Sequence, residues 1–503
     1  MIEAGRMKNG IRGIFTALLA GLALAACATV PGSKRDYKAA EAALSMHIRT
    51  LASEAYGGRK PGTEGGAKTE QYLVDALTGY GFQPGAAEGQ WRQPVKLVRS
   101  LPGEAMIDFR TGKTISGEEV IARIPGENIA LEESRVTVFA PGAQQLPAGS
   151  QKGRSAVLFQ EALFAGEGQA MAEAGFDAIY VLFEDEEMFE RAAGFFRNGR
   201  WSLQGTAPVS DTPYVLLSPD ASIEFAGAIG NSISDLRELS GKQEGGEFQR
   251  RNPVWLSATA RVEAVETANV IGKLPGKVHD SGAVMILAHW DHLGTCGPQD
   301  APDRLCNGAV DNASGIGVML EVARRIAAQG GLDRDFYVMG TTAEEIGLLG
   351  AEAFAADPPF PLPTIVAAFN MDTVAIAPKG SPVTVVGWGR TPLDEGIRKV
   401  VEGMGTRFMV VESTEQFVRR QDGWALLSRD VPTVLVSTSF GDEEKFNAFL
   451  DGPYHRADDE WSEDMELGGA TDDIFIHVAL LRHFGSVAEY QPGMMEKVEA
   501  SAQ

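Results

Sequence analysis

The stretch Val284-Met285-Ile286-Leu287-Ala288-His289-Trp290-Asp291 decides the fold. Its five consecutive apolar residues predict a strand that is buried on both faces, as in the parallel sheet of an α/β domain. A histidine and an aspartate follow where this strand should end. Open α/β sheets bind ligands beyond the carboxyl ends of their strands. The sequence therefore predicts a functional site at this edge of the sheet.

The chain on the carboxyl side of this stretch repeats the pattern. Short apolar runs that predict strands cover residues 336–340, 365–369, 383–386 and 433–437. Residues 315–328 carry apolar side chains at helical spacing, which predicts an amphipathic helix. Strands that alternate with helices indicate an α/β fold, with a mostly parallel central sheet flanked by helices.

Polar side chains follow most of these predicted strands. The segments are Asn307-Gly308-Ala309-Val310-Asp311, Thr341-Thr342-Ala343-Glu344-Glu345, Asn370-Met371-Asp372 and, later in the chain, Tyr454-His455. Taken alone, Asp311 could equally cap the helix that follows it, and a Glu-Glu pair is usually a solvated face. Imidazoles and carboxylates that converge at one sheet edge suit zinc, which accepts nitrogen and oxygen ligands.

Together these segments resemble the zinc aminopeptidase and glutamate carboxypeptidase family (peptidase family M twenty-eight, the co-catalytic two-zinc exopeptidases), which also contains glutaminyl cyclases. The resemblance covers residues 51–66 and 269–478, and it implies the phosphorylase/hydrolase-like fold of zinc exopeptidases. It implies two Zn²⁺ ions per chain. The implied metal ligands are His289 and Asp372 for the first ion, Asp311 for both ions, and Glu345 and His455 for the second ion.

The same resemblance implies three catalytic roles. Glu344 would be the general base, Asp291 would orient His289, and Tyr454 would donate a hydrogen bond to the tetrahedral oxyanion. Two consecutive glutamates can serve one site only if a loop turns both of them inward, since on a strand they would face opposite sides. We interpret His292 as a nearby structural residue.

The resemblance implies a metal-dependent exopeptidase, and we expect an aminopeptidase that releases N-terminal residues from peptides. A carboxypeptidase or dipeptidase of the same family is the alternative, because Arg390, Arg419 and Arg420 could hold a substrate carboxylate. The segment Arg420-Gln421-Asp422-Gly423 departs from the Ser-Asp-His that many relatives carry. A glutaminyl cyclase is disfavoured, because it uses one zinc. A non-enzymatic peptide-binding lipoprotein is a further alternative.

The N-terminus predicts export. Lys8 and Arg12 precede an apolar run over residues 14–26, which is too short for a comfortable membrane span. The run ends in Leu24-Ala25-Ala26-Cys27, which resembles the lipobox of bacterial lipoproteins. We expect a lipid on Cys27 and a location on the periplasmic face of a membrane. Ala28 favours the outer membrane by the same resemblance. An ordinary cleaved signal peptide is the alternative.

Charge and cysteine content set further limits. The formal net charge is −23, which repels phosphate backbones and argues against a nucleic-acid partner. Besides Cys27, the chain has Cys296 and Cys306. In an oxidising compartment two cysteines this close can pair, and we expect a disulfide, with two free thiols as the alternative.

The pattern divides the chain into five parts. We predict a lipoprotein signal peptide (1–26), a tether (27–36), a discontinuous zinc peptidase domain (37–102 and 254–490), an inserted domain (103–253) and a tail (491–503). The insert contains short apolar runs punctuated by glycine and proline, which predicts a small β-rich domain. It resembles the protease-associated domain that some family members carry. Residues 243–252 are polar and predict a linker.

Overall fold

The structure is a computed structural model that describes residues 34–139, 147–165, 167–206, 212–241, 247–297 and 300–493. The predicted signal peptide and Cys27 lie outside these residues. The chain forms two compact units, the first comprising Met1–Val95 and Glu266–Gln503 and the second Lys96–Val265. These boundaries differ from the predicted ones, 102/103 and 253/254. Both observed boundaries lie inside long strands, so no change of composition marks them.

Seventeen strands occur in the described residues. They are β1 (Gln83–Pro84), β2 (Arg92–Asp108), β3 (Thr114–Ser116), β4 (Val120–Arg123), β5 (Asn128–Phe139), β6 (Arg154–Phe159), β7 (Ala178–Leu182), β8 (Arg200–Leu203), β9 (Tyr214–Leu217), β10 (Glu247–Leu274), β11 (Ala283–His289), β12 (Gly294–Thr295), β13 (Leu305–Cys306), β14 (Asp335–Thr341), β15 (Ile365–Asn370), β16 (Thr384–Val386) and β17 (Thr433–Ser437).

Thirteen α-helices accompany these strands in the described residues. They are α1 (Lys34–Leu51), α2 (Glu64–Gly79), α3 (Gln160–Phe164), α4 (Glu167–Glu173), α5 (Glu186–Arg197), α6 (Pro219–Ala228), α7 (Ile233–Ser240), α8 (Gly315–Ala328), α9 (Leu349–Ala356), α10 (Asp394–Gly403), α11 (Gly423–Leu427), α12 (Glu443–Asp451) and α13 (Gly468–Gly485). Short 3₁₀ turns cover Glu54–Arg59, Ala87–Gly89, Gly117–Glu119, Leu362–Thr364, Glu412–Phe417 and Ser439–Gly441, and a π turn covers Ala309–Ser314.

The first unit is built on a mostly parallel sheet. The strand order is β16-β17-β15-β11-β14, and the end of β10 pairs with β14. Strands β17, β15, β11 and β14 are parallel to one another, whereas β16 and β10 run antiparallel to their neighbours. The predicted α/β fold with a mostly parallel central sheet is confirmed, and β11 lies near its centre.

The side chains of β11 alternate between two hydrophobic cores, which explains its continuous apolar sequence. Val284 and Ile286 pack in a core with apolar residues of α1, α2, α8 and α13. Met285 and Leu287 pack on the other face, in a core with residues of α9 and α11. All four side chains are fully buried. A central strand covered by helices on both faces needs apolar residues at every position.

The second unit contains parallel strands β5, β6, β7 and β9, with β4 antiparallel to β9 and the first part of β10 antiparallel to β5. Strand β2 pairs with β3 and β8. The predicted β-rich character was incomplete, because helices α3 to α7 also belong to this unit. The resemblance to a protease-associated domain stays a prediction.

Two predicted connecting segments were wrong in part. Residues 34–36 of the predicted tether belong to α1, where Asp36 in the first turn pairs with Arg325 at 3.0 Å. An acidic residue is favourable at a helix N-terminus. Residues 247–252 of the predicted linker form the start of β10.

None of the helices in the described part of the chain combines the length and apolar character that a bilayer crossing requires.

Candidate metal centre

The register of the central strands brings the predicted metal ligands to one edge of the sheet. His289 at the end of β11 pairs with Thr341 at the end of β14, and Leu287 pairs with Asn370 at the end of β15. Glu344, Glu345 and Asp372 follow these ends directly. Because the strands are parallel, their carboxyl ends place residues that are far apart in sequence side by side.

Asp311 lies between two groups of potential ligands. Its Oδ1 atom is 3.3 Å from His289 Nε2, which is also 3.4 Å from Asp372 Oδ1. Its Oδ2 atom is 3.3 Å from His455 Nε2, which is also 2.9 Å from Glu345 Oε2. The five predicted ligands therefore meet in one place. One carboxylate facing two ligand groups is the arrangement that a pair of metal ions requires.

A sixth side chain, His292, also reaches this centre. Its Nδ1 atom lies 2.5 Å from Glu345 Oε1, and the side chain is fully buried. The ligand atoms of His292, Asp311 and Glu345 lie within 4.8 Å of one another, as do those of His289, Asp311 and Asp372. His292 thus contacts one carboxylate oxygen of Glu345 while His455 contacts the other. We retain the prediction that His455 is the ligand.

A loop turns both glutamates towards the site, as the sequence required. Residues 342–344 lie outside any strand or helix, and Ala343 has φ of 58°. Thr373 and His455 also have left-handed backbone conformations, with φ of 54° and 59°. Residues other than glycine adopt this region rarely and at a cost. Three such residues lie beside one centre. Their strained backbone conformations indicate that the fold places the side chains of this centre at a cost in backbone energy.

Mutual charge sets the protonation of the centre. Burial raises the pKa of Glu344 well above its usual value, and Asp372 and Glu345 raise it further. Burial opposes protonation of His455, but the carboxylates of Asp311 and Glu345 raise its pKa to about 10. Carboxylates crowded this closely repel one another, so the geometry calls for added positive charge. The nitrogen and oxygen donors present fit zinc.

A cavity adjoins the centre. It is lined by His289, Asp311, Glu344, Asp372, Thr373, Phe417, Arg420, Gln421, Leu435, Phe440, Phe446, Leu450 and Tyr454. The ring of Tyr454 stacks on that of His455, with centroids 3.8 Å apart. The predicted base, the predicted oxyanion donor and three of the predicted ligands thus face one space.

Known proteins resemble this chain in sequence and in fold. Residues 269–479 match Peptidase family M28. This part of the chain belongs to that family. No curated protein gives a significant sequence match. The fold is similar to that of an aminopeptidase from Aneurinibacillus sp. strain AM-1, at 15% identity over 91% of this chain and 95% of that one, with a TM-score of 0.56. BSAP, a zinc aminopeptidase from Bacillus subtilis, is similar at 16% identity over 91% and 98% of the two chains, with a TM-score of 0.50.

Residues 269–479 therefore form a metal-dependent peptidase region of the M28 family. All the residues predicted to carry its chemistry lie in the first unit, and all five predicted ligands lie in the range that the family match covers. Asp291 is fully buried next to His289, but its main-chain oxygen, at 3.2 Å, is closer to His289 Nδ1 than its carboxylate, at 3.9 Å. Its Oδ1 atom accepts the amide of Glu344 at 3.1 Å.

The sequence did not predict the hydrogen-bonding roles of two buried aspartates beside the M28 centre. Asp459 accepts the amides of Val310 and Asp311 at 2.8 and 3.0 Å. Asp422 is fully buried and accepts a hydrogen bond from the Thr341 hydroxyl, while burial raises its pKa to about 7. Asp422 stands in the segment Arg420-Gln421-Asp422-Gly423, and Asp459 lies four residues after His455. No local pattern assigns them a partner.

A disulfide lies beside the M28 centre. Cys296 and Cys306 form it, with Cα atoms 5.8 Å apart. The Cys296 sulfur is 3.5 Å from the main-chain oxygen of His455. Cys306 belongs to β13, which pairs with β12 in a short hairpin. The covalent link therefore closes a loop whose end touches the backbone of a predicted ligand.

Proposed function

We propose that this chain is a two-zinc aminopeptidase that releases N-terminal residues from peptides. The observation that carries the proposal is the position of Asp311, whose two carboxylate oxygens face two separate ligand groups. A bridging carboxylate serves two metal ions about 3.5–4 Å apart. His289 and Asp372 would complete one ion's ligands, and Glu345 and His455 the other's.

The residues of the chain supply the proton transfers. Zinc, when bound, supplies Lewis acidity for the scissile carbonyl and for a water molecule. Glu344 lines the cavity and holds a raised pKa, so its carboxylate can accept the proton of the attacking water. The same group then gives the proton to the leaving amine. The Tyr454 hydroxyl would donate to the oxyanion that forms at the carbonyl oxygen.

The cavity favours an apolar side chain next to the scissile bond. Phe440, Phe446 and Leu435 line it and are at most 5% exposed. Phe417 and Leu450 add further apolar surface. A closed apolar wall beside the centre suits the side chain of a substrate's terminal residue, since burial of a Leu or Phe side chain contributes about 1.5–3 kcal/mol.

Metal analysis and hydrolysis assays on one sample test the proposal. We expect two zinc ions per chain and chelator-sensitive hydrolysis of leucine p-nitroanilide, but none of its N-acetylated form. Glu344→Gln should lose at least about 100-fold in kcat while zinc stays bound. Glu444→Gln, an exposed glutamate on α12, is the matched control. A protein that binds no zinc and hydrolyses nothing would instead be a peptide-binding lipoprotein.

One observation favours a dipeptidase as the second candidate. Of the three arginines considered, Arg420 lines the cavity, whereas Arg390 is paired with Glu415 and Arg419 stacks on Trp424. In the described residues, Arg420 contacts the Phe417 ring at 5.4 Å and has no carboxylate partner. Its guanidinium could therefore hold the terminal carboxylate of a short substrate.

Amidated substrates separate the two candidates. A dipeptidase should hydrolyse Leu-Gly much faster than Leu-Gly amide, and Arg420→Gln should remove that preference. Arg419→Gln is the control, because Arg419 does not line the cavity. Equal rates on both substrates for the wild-type protein would favour the aminopeptidase.

We also propose that the protein is exported and anchored by lipid on Cys27, at the outer membrane. The lipobox-like segment and Ala28 support this. Cys27→Ser should move the protein from the membrane fraction to the soluble fraction and abolish labelling by a radioactive fatty acid. Membrane association of that variant would contradict the proposal.

A further inference from the structure

Arg59 is a fully buried arginine beside the metal centre. Its Nε atom donates to the main-chain oxygen of Trp290 at 2.9 Å, and its Nη1 atom to those of Leu51 and Asn307 at 3.0 and 2.5 Å. Its Nη2 atom donates to the oxygen of Gly308 at 2.9 Å. All four acceptors are neutral carbonyls, so the guanidinium forms no direct ion pair through these bonds.

Two of these segments carry predicted metal ligands. Trp290 directly follows His289, and Gly308 precedes Asp311 by three residues. The planar guanidinium of Arg59 therefore joins the segment that follows His289, at the end of β11, to the loop that carries Asp311. The geometry of a guanidinium fork is rigid, so it fixes the spacing of the carbonyls that it binds.

The backbone at Arg59 and Gly58 adopts left-handed conformations in a tight turn. Arg59 has φ of 50°, a conformation that is rare for a residue with a side chain. The adjacent Gly58 has φ of 62°, and a Cβ atom there would lie 2.4 Å from the main-chain oxygen of Cys306. Only glycine permits this approach, which seats the turn against the β12–β13 hairpin.

We propose that Arg59 is a positioning residue that holds the loops of His289 and Asp311 in their metal-binding arrangement before metal binds. The proposal rests on the proposed metal centre. Arg59 would contribute to metal binding through the geometry of its guanidinium fork, because its positive charge alone would repel an incoming cation. Loss of the fork should therefore lower zinc affinity even when the charge is kept.

Arg334 provides a matched control. It is 2% exposed and donates to four main-chain carbonyls, those of Ser281, Phe484, Ser486 and Tyr490, at 2.8–3.0 Å. These carbonyls lie in segments that carry no predicted ligand. Substitution of Arg334 thus removes an equal number of hydrogen bonds in the same unit without touching the centre.

The test measures zinc affinity by chelator competition, with thermal unfolding of the metal-free protein alongside. We expect Arg59→Lys to lower zinc affinity at least about 10-fold. Arg334→Lys should lower the unfolding temperature and leave zinc affinity within about 2-fold of wild type. Arg59→Lys keeps the positive charge but loses the guanidinium fork. Unchanged zinc affinity in this variant would therefore overturn the proposal.

Hydrogen–deuterium exchange on the wild-type protein tests the same claim without a variant. In the metal-free protein, the amides of residues 309–313 should stay protected, because their loop is already held by Arg59, through the carbonyls of Asn307 and Gly308, and by Asp459, through the amides of Val310 and Asp311. Exchange as fast as in the unfolded chain would overturn the proposal, even if Arg59→Lys does not fold. A wild-type protein that binds no zinc would instead remove the proposed function on which the inference rests.

Discussion

The carboxylate of Asp459 accepts the main-chain amide of Asp311 at 3.0 Å, across a sequence separation of 148 residues. Its other oxygen accepts the amide of Val310 at 2.8 Å. Asp459 is 2% exposed. The bridging carboxylate is therefore held through its own backbone, and Asp459 links the loop of Asp311 to the segment that carries His455.

Asp459→Asn should weaken metal binding. The amide keeps one acceptor oxygen but turns a donor towards the second main-chain N–H, so one of the two hydrogen bonds is lost. We expect zinc affinity to fall about 10- to 100-fold, as for other partners that orient metal ligands. Chelator competition measures this, with Asp458→Asn, an exposed neighbour, as the control. Equal affinities in both variants would show that Asp459 does not position the centre.

Filling the cavity should change substrate preference. Leu450 lines the cavity together with Tyr454 and several apolar side chains. A tryptophan there would occupy the space that a large substrate side chain needs. We expect Leu450→Trp to lower kcat/KM for leucine and phenylalanine p-nitroanilides by at least about 10-fold, equivalent to about 1.4 kcal/mol of binding. The alanine substrate should be affected less.

Val410→Trp is the control for that substitution, because Val410 is exposed and does not line the cavity. A uniform loss on all three substrates in Leu450→Trp would indicate damage to the metal centre. No loss at all would mean that the substrate side chain binds elsewhere.

Removal of the disulfide should loosen the surroundings of His455. Cys296 and Cys306 are separated by 10 positions, and a loop of this length contributes about 3 kcal/mol in the chain-entropy model. We expect the Cys296→Ser/Cys306→Ser variant to unfold at lower urea concentration and to release zinc faster. The same variant should be insensitive to a reductant that destabilises the wild-type protein. Identical urea midpoints of the wild-type protein with and without reductant would contradict the prediction.

Asp473 should make stability depend on pH. It is fully buried on α13 and accepts hydrogen bonds from the Ser437 hydroxyl and the Thr438 amide. Burial raises its pKa from 3.8 to about 8. Between these values the folded state binds a proton that the unfolded state has lost. The contribution of Asp473 to stability is therefore greatest at low pH and falls as pH rises towards 8.

Asp473→Asn cannot ionise and should not show this loss. Thermal unfolding of both proteins between pH 5 and pH 9 measures the difference. We expect the unfolding temperature of the variant, relative to that of the wild type, to increase as pH rises. A constant difference across the range would show that Asp473 does not titrate in this window.

The sequence by itself determined the elements of the peptidase unit and the residue types of its centre. The predicted helix over residues 315–328 has the same bounds as α8, and the apolar run 284–288 lies within β11. Such elements are readable because burial on one or both faces imposes a pattern on neighbouring residues. His289, Asp311, Glu345, Asp372 and His455 were found because each lies in a short segment with a family resemblance.

Only the tertiary structure decided which side chains meet. The hydrogen bonds of Arg59 to Asn307 and Gly308 join residues 248 and 249 positions apart, and His292 reaches Glu345 across 53 positions. The apolar wall of the cavity likewise gathers Phe417, Leu435 and Phe446 from separate elements. Periodicity records which face of an element is buried, but not what it is buried against. That is set by strand order and register, which exist only once the chain has folded.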